Sequence, residues 1–181
     1  AFASAFGNES TPETADNIAS DLGISREQAD AFAAASQAKY EAARADGFFT
    51  DEIIPVEVPM GRKKPPVTVD ADEHPRPQST VDVLSGLRTL FNDGVVTAGN
   101  ASGINDGAAA LIVGNKAVGE KYGVKPRARI IAGGVAGVEP RVMGFGPVFA
   151  IRKALSRSGL ELSDMDIIEI NEAFAPQVLG C

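Results

Sequence analysis

Residues 97–110 read TAGNASGINDGAAA, a stretch with little side-chain bulk over its fourteen positions. A backbone this bare can approach a ligand closely, and its N–H groups and the Ser102 hydroxyl are available for hydrogen bonds. A tight turn between two buried strands explains the same pattern equally well, so both interpretations stay open. The spacing and the lysine of a nucleotide-binding P-loop are absent, which excludes that kind of phosphate site.

After this stretch, strand-like and helix-like segments alternate to the end of the chain. Strand-like segments lie at 95–98, 128–138 and 166–170, and residues 108–113 form a continuous apolar run of strand length. Helices are predicted over 115–122 and from Pro147 onward, the latter with Ile151, Ala154 and Leu155 on its buried side. Alternating strands and helices predict a layered α/β architecture.

Before residue 93 the pattern is mainly helical. Thr11 can cap a helix that has Pro12 at its first position and ends near Gly23. Ser25 and Gln28 form a capping box that opens a longer helix to about Asp46. Its buried face is predicted from helical spacing to comprise Ala29, Phe32, Ala33, Ser36, Tyr40 and Ala43.

Residues 48–93 connect these helices to the α/β part. Val56, Val58, Val67 and Val69, interrupted by prolines, predict short edge strands around a loop. Residues 70–79 are expected to be irregular, and a short amphipathic helix is predicted from Val81 toward Phe91. We therefore expect a domain boundary near residue 93.

Composition limits the kinds of partner. The 181 residues carry 44% hydrophobic and 23% charged side chains and a formal charge of −7, which indicates a globular protein without general affinity for nucleic acid or anionic membranes. One cysteine and one histidine exclude a Cys/His zinc cluster. No apolar run approaches the ~20 residues of a membrane span, and no secretory leader is visible, so we expect a cytoplasmic protein. The basic cluster 62–64 is interpreted as a solvated loop in preference to a phosphate site.

Two further segments could carry chemistry. Asn171 and Glu172 follow the apolar run 166–170, and the carboxyl end of a strand is where open α/β sheets place ligands. An asparagine there can anchor a water or donate toward an oxyanion, although it could equally be the N-cap of the next helix. In Arg141–Pro147 the glycines shape a turn, and Met143 offers an adaptable apolar contact.

Taken together and in this order, these segments resemble the thiolase family, along nearly the whole chain. The resemblance includes TADNIA at 14–19, ISREQ at 24–28, DEIIPV at 51–56 and DEHPRP at 72–77, followed by the segments around Ser102, Met143 and Asn171. Within the family, the sequence most resembles the acetyl-CoA acetyltransferase and β-ketoadipyl-CoA thiolase branch.

The resemblance implies a thiolase-like layered α/β fold, present here as an internal fragment. Thiolase subunits are about twice this length and have two βαβαβαββ halves with an inserted loop domain that holds coenzyme A. By that comparison, residues 1–93 correspond to the loop domain, 94–123 to the last part of the N-terminal half, and 124–181 to the first part of the C-terminal half.

The implied activity is a CoA-dependent acyl transfer, either Claisen condensation of acyl-CoA or thiolytic cleavage of 3-oxoacyl-CoA. Thiolases carry the acyl group on a cysteine and use a Gly-His-Pro histidine and a second cysteine, none of which falls in this window. We therefore expect the 181-residue chain to be inactive alone. Cys181 and His74 are not interpreted as a nucleophile and its base.

The resemblance also implies roles for residues that are present. Asn171 corresponds to the asparagine that holds a water toward the thioester oxygen, and is the one catalytic residue expected here. The residues expected to contact coenzyme A, which is a substrate, are Arg76, Phe91, Ala98, Ala101, Ser102, Gly103, Met143 and Phe174. Thr11-Pro12 replaces the family's Met-Gly or Met-Pro, which places the substrate contact of that methionine in question.

The implied partners are an acyl-CoA substrate and further copies of the chain in a homo-oligomer, with no metal, nucleic acid or membrane. The alternative from another class is a non-catalytic CoA-binding relative, similar to lipid-carrier proteins that keep the fold without the full chemistry.

Overall fold

The computed structural model describes residues 9–61, 64–106 and 110–181. Within these ranges the α-helices are α1 (Thr11–Leu22), α2 (Arg26–Ala45), α3 (Val81–Ser85), α4 (Lys116–Tyr122), α5 (Gly146–Ser158) and α6 (Ala175–Gly180). The strands are β1 (Val56–Val58) and β2 (Val67–Val69), and 3-10 helices span Pro140–Phe145 and Leu162–Asp164. In this described part of the chain, no helix is long and apolar enough to cross a membrane.

The first two helices begin at local capping signals. Helix α2 confirms the predicted capping box, in which the Ser25 hydroxyl accepts from the Gln28 amide at 3.2 Å and the Gln28 carboxamide accepts from the Ser25 amide at 2.8 Å. The predicted cap of α1 was wrong by one residue. Ser10 is the N-cap and pairs with Glu13 at 2.5 Å from its backbone amide and 2.7 Å from its hydroxyl, while Thr11 is already helical. Both bonds are donated by Ser10 to the Glu13 carboxylate in the first turn, which explains why Ser10 is the cap.

The predicted edge strands are confirmed as an antiparallel pair. Val56 lies opposite Val69 and Val58 opposite Val67, with Glu57 and Thr68 between them on the other face. All six residues are exposed. Residues 70–79 are irregular, as expected, and lead into α3. Helix α3 is shorter than predicted because it ends at Gly86.

The core forms where α1 meets the 3-10 helix Pro140–Phe145 and α6. Ile18 of α1 is fully buried. A Cβ at Gly144 would lie 2.8 Å from its Cδ1, and a Cβ at Gly180 would lie 2.7 Å from its Cγ2. Both glycines therefore allow a close approach that any larger side chain would prevent. Small residues on the helix faces, among them Ala15, Ala19, Ala29, Ala33 and Ala175, are buried around this contact.

The predicted strands of the α/β part are wrong for the residues that the structure describes. Residues 95–98, 110–113, 128–138 and 166–170 are not in strands, apart from a single bridge between Thr89 and Thr97; residues 108 and 109 lie outside the described ranges. Ile112 is 101% exposed, Ile130 76% and Ile167 86%. A strand needs a neighbour to satisfy its backbone groups, and apart from that bridge the described residues provide none for these segments. The helices between them, α4 and α5, are confirmed.

A buried polar network joins α2 to the loop at 95–100. Asp30 is 1% exposed and Asn100 4%. The Asp30 carboxylate accepts from Arg26 Nε at 2.6 Å and from Asn100 Nδ2 at 2.9 Å. The Asn100 carboxamide also accepts from the Thr97 amide at 2.8 Å and donates to the Val95 carbonyl at 2.9 Å. Because each of these buried groups is paired, the loop is held in one conformation.

Replacing Asn100 by Ala is expected to lower the free energy of unfolding of the full-length protein by about 2–4 kcal/mol. The substitution removes a hydrogen bond to a buried carboxylate and leaves the Thr97 amide unpaired. Urea unfolding followed by circular dichroism measures the change. The control is Lys39→Ala on the exposed side of α2, which should stay within about 0.5 kcal/mol. An equal effect of the two variants would contradict the structural role of Asn100.

The 181-residue chain alone is expected to self-associate at low micromolar concentration. Its exposed apolar segments, Leu111–Val113, Ile130–Ile131 and Ile167–Ile168, carry unpaired backbone groups that can pair with another chain. Sedimentation velocity tests this directly. A compact monomer with cooperative unfolding would show that these segments find partners within the chain.

Candidate functional site

Two segments that are distant in sequence lie side by side. The Ser102 amide donates to the Ala173 carbonyl at 2.9 Å, and the Ala175 amide donates to the Asn100 carbonyl at 2.9 Å. Between them Ala101 and Phe174 form an antiparallel bridge. The loop 97–103 and the segment 171–175, identified separately from the sequence, therefore form one backbone junction.

The loop 97–103 is also attached to α1. One carboxylate oxygen of Asp16 accepts from the Val95 amide at 2.7 Å and from the Val96 amide at 2.9 Å. Val96 and Thr97 are fully buried. Together with the Asn100 network, these bonds set the direction in which the chain leaves the core toward Ser102. The Ser102 side chain itself is exposed.

A cavity of about 250 Å³ lies beside this junction. Three residues predicted for the site, Met143, Asn171 and Phe174, line it together. The remaining lining residues are Thr11, Thr14, Ala15, Gly144, Pro147, Ile170, Ala173 and Gln177. A mainly apolar cavity with a few convergent amide and hydroxyl groups is the usual form of a small-molecule site.

Asn171 is not a helix cap. Helix α6 starts at Ala175 with Phe174 as its N-cap and Pro176 in its first turn. Asn171 lies before that start, where its carbonyl accepts from the Ala173 amide at 2.9 Å. Its side chain is exposed and lines the cavity. The capping interpretation was therefore wrong, and the carboxamide is available for a ligand or a water.

The segment that carries Met143 is held on α1 by polar contacts. Asn17 Nδ2 donates to the Arg141 carbonyl at 3.1 Å. The Arg141 guanidinium makes a bidentate pair with the Asp21 carboxylate at 2.7 and 2.8 Å. This pair lowers the pKa of Asp21 and raises that of Arg141. The pair is partly exposed, so it orients the segment more than it stabilises the fold.

Arg76 and Gly103 lie near each other but outside the cavity. The Arg76 amide donates to the Gln37 carboxamide at 2.8 Å, and its Nη1 donates to the carbonyls of Glu73, His74 and Pro75 at 2.6, 2.9 and 3.0 Å. The His74 Nε2 accepts from the Gly103 amide at 3.2 Å. The Arg76 guanidinium is thus folded onto its own segment, next to the loop 97–103, which carries Ser102 and is called the Ser102 loop below.

The remaining predicted residues are more dispersed. Ala98 is exposed and Phe91 is half-buried in a turn, with its carbonyl accepting from the Gly94 amide at 3.3 Å. Neither lines the cavity. Ala101 reaches the site through its bridge with Phe174. No residue assignment is tested by this placement, so these roles stay predictions.

Sequence reasoning missed the contribution of α1 and α6 to the cavity. Thr14 and Ala15 belong to a buried helix face, and Gln177 is buried in α6. Helical spacing could have shown that Thr14 and Ala15 face inward, but not which segment they face. Thr11, the position that departs from the family pattern, also lines the cavity.

A second cavity of about 590 Å³ lies at the far end of α2. Tyr40 and Phe49 stack at its wall with ring centroids 5.0 Å apart, and the Tyr40 hydroxyl donates to Asp72 at 2.9 Å. Burial, followed by the bond to Asp72, raises the pKa of Tyr40.

Among the described residues, no group of three His, Cys, Asp or Glu side chains could hold a metal ion.

Cys181 lies next to the first cavity but is not activated. Its Sγ lies 3.4 Å from the Gly144 carbonyl and 3.6 Å from Gln177 Nε2. Burial raises the pKa of the Cys181 thiol, and the hydrogen bond from Gln177 opposes this only in part. His74 contacts Gly103, a different segment, so the structure provides no nucleophile–base pair from these two residues.

Alkylation of Cys181 in the 181-residue chain is expected to be slower at pH 7 in native buffer than in urea. A raised pKa keeps the thiol protonated, so the rate should increase with pH to a midpoint above the ~8.5 of an unperturbed cysteine. Because the chain has one cysteine, iodoacetamide labelling followed by mass spectrometry reports on this site alone. A native midpoint below the urea value would contradict the assignment.

Comparison with known proteins identifies similar sequences and folds. Residues 1–117 match the family description "Thiolase, N-terminal domain", and residues 124–181 match "Thiolase, C-terminal domain". The chain is 52% identical over 177 residues to the 3-oxoadipyl-CoA/3-oxo-5,6-dehydrosuberyl-CoA thiolase of Escherichia coli (strain K12), covering 97% of this chain and 44% of that protein. It is also 52% identical to an acetyl-CoA acetyltransferase of Allochromatium vinosum, with 97% and 45% covered.

Solved structures give the same result. The Bacillus anthracis acetyl-CoA acetyltransferase matches with a TM-score of 0.90 and 43% identity, covering 96% of this chain and 44% of that one. The human mitochondrial 3-ketoacyl-CoA thiolase in complex with CoA matches with a TM-score of 0.87 and 45% identity, covering 96% and 42%. The chain therefore spans less than half the length of these relatives.

Proposed function

Because residues 1–117 and 124–181 match the two thiolase domains, this chain belongs to the thiolase family, and we propose that the full-length protein is a CoA-dependent acyltransferase. It condenses acyl-CoA thioesters to a 3-oxoacyl-CoA or cleaves a 3-oxoacyl-CoA with coenzyme A. The names of its relatives agree on this chemistry and differ in the acyl group.

One observation carries the proposal. Met143, Asn171 and Phe174 line one cavity. This cavity lies beside the junction in which residues 173–175 pair with residues 100–102. A thioester in this cavity would have an apolar wall on the Met143 and Phe174 side and a carboxamide on the Asn171 side. We propose that Ser102, which has an exposed side chain and is bonded through its amide to the Ala173 carbonyl, contacts the pantetheine arm.

The role of Asn171 follows from the charge that the reaction develops. Condensation removes an α-proton from an acetyl thioester and leaves negative charge on the thioester oxygen. A carboxamide held in a fixed position, acting through a water, stabilises this charge without having to reorganise in the transition state. The cysteine and histidine chemistry comes from family motifs that this window does not include.

The structure around the site also supports a division of tasks within the chain. Helix α1 provides one wall of the cavity through Thr11 and Ala15, while α2 anchors the Ser102 loop through Asp30. Thr11 occupies the position where the family has a methionine, so we propose that it influences which acyl group is accepted. We further propose that the protein assembles as a homo-oligomer, as the family resemblance implies.

Replacing Asn171 by Ala in the full-length protein is expected to lower kcat by up to about 100-fold, with little change in KM for the acyl-CoA. Losing one oxyanion-hole donor typically costs about 100- to 1,000-fold in rate, and a contact through water should fall at or below the lower end. The assay is thiolytic cleavage of acetoacetyl-CoA, followed by loss of absorbance of the Mg²⁺ enolate.

The matched control is Glu169→Ala, an exposed residue of the same segment that does not line the cavity. An unchanged kcat in Asn171→Ala would contradict its catalytic role. A full-length wild-type protein that binds coenzyme A but turns over no acyl-CoA would instead support a non-catalytic binding protein. The 181-residue chain serves as the inactive reference.

A further inference from the structure

His74 makes a contact for which the proposed chemistry has no use. The Gly103 amide donates to its Nε2 at 3.2 Å, directly beside Ser102. A ring nitrogen that accepts a hydrogen bond carries no proton, so this contact requires the neutral imidazole with its proton on Nδ1. His74 is thus an acceptor for the loop, not a base for a substrate.

The imidazole also packs tightly against Gly103. A Cβ added at Gly103 would lie 2.3 Å from His74 Cε1 and 2.5 Å from Nδ1. The φ angle of Gly103 is not in the left-handed region, so the backbone itself would accept an alanine. An alanine at this position would therefore have to displace the imidazole.

The segment that carries His74 is bonded to α2 and braced by its own arginine. Gln37 of α2 accepts from the Arg76 amide at 2.8 Å, and Arg76 Nη1 donates to the carbonyls of Glu73, His74 and Pro75. The first bond ties this segment to α2 at Arg76, and the other three fold the Arg76 guanidinium over the backbone of residues 73–75. The imidazole therefore projects from a fixed support.

The loop 97–103, which His74 contacts at Gly103, is also joined to the segment 171–175. The Ser102 amide donates to the Ala173 carbonyl at 2.9 Å. The neighbouring Glu172 carboxylate accepts from the Ser36 hydroxyl of α2. The hydrogen bonds thus form a closed circuit from α2 through 73–76, 102–103 and 172–173 back to α2, and His74 makes one of its links.

We propose that His74 is a positioning residue for the acyl-CoA site, which holds Gly103 and Ser102 in register with the Asn171 segment. This inference rests on the proposed function. His74 itself takes no part in proton transfer. Its effect reaches the substrate through the Ser102 loop, and should therefore appear in substrate binding more than in the chemical step.

The test compares His74→Phe with His74→Gln in the full-length protein. Phenylalanine keeps a ring against Gly103 but offers no acceptor, whereas the Gln side-chain oxygen can reach the place of Nε2 and accept from the Gly103 amide. A hydrogen bond of ordinary net strength corresponds to about a two- to tenfold change in affinity. We expect KM for acetoacetyl-CoA to rise by about that factor in His74→Phe, with kcat less affected, and to return close to the wild-type value in His74→Gln.

A double-mutant cycle checks the packing contact independently. Gly103→Ala should raise KM in the wild-type background, because its methyl group must displace the imidazole. In a His74→Ala background, which removes the ring, the same substitution should raise KM by a smaller factor, because only the direct effect of Gly103 on coenzyme A remains. Additive effects, or equal KM values for His74→Phe and His74→Gln, would overturn the proposal, as would a fall in kcat at unchanged KM.

Amide hydrogen exchange separates this inference from the proposed function. Peptides covering residues 101–104 should exchange faster in His74→Phe than in His74→Gln, whatever reaction the protein catalyses. If the wild-type protein turns over no acyl-CoA, the proposed function fails. The positioning role of His74 is then tested by comparing the amide exchange rates and the CoA affinities of His74→Phe and His74→Gln. Identical exchange in the two variants would overturn it.

Discussion

The rest of this structure depends on the hydrogen bonds that the buried Asp30 carboxylate accepts. It is buried in α2 and accepts from Arg26 at 2.6 Å and from Asn100 at 2.9 Å. A charge in the protein interior is tolerated only when it is paired, so Asn100 has little freedom to move. The Asn100 carbonyl in turn accepts from the Ala175 amide, which begins α6. One buried charge thus determines where the loop 97–103 and the start of α6 meet.

Features that depend on neighbours in sequence were predictable. The capping box of α2 and the glycine after α1 act over three or four residues, and both are where the sequence indicates. The thiolase family and fold, inferred from motifs spread along the chain, are confirmed by the family matches and by TM-scores of up to 0.90. The prediction of strands in the α/β part was wrong because a strand forms only when another strand pairs with it. Apolar character makes a segment suitable for a sheet, but hydrogen-bond partners decide whether it joins one.

The candidate site was predictable only in part, for a related reason. Motifs identified Met143, Asn171 and Phe174, which line one cavity, but gave no indication that Thr14 and Ala15 of α1 form its opposite wall. That wall depends on Gly144 and Gly180, which allow Ile18 to come close. A glycine in a sequence is usually interpreted as a turn, so its role in a close contact between helices is not evident from the sequence. The capping interpretation of Asn171 failed because α6 starts later, at Ala175, with Pro176 in its first turn.

The junction between 100–102 and 173–175 is made by main-chain atoms. Its register therefore does not depend on which side chains occupy positions 101, 102 and 174, provided that they avoid proline at the donating amides. During divergence, the wall of the cavity can change residue by residue while the alignment of the two segments persists. A scaffold of this kind can change the shape of its cavity through successive substitutions while the two segments stay aligned.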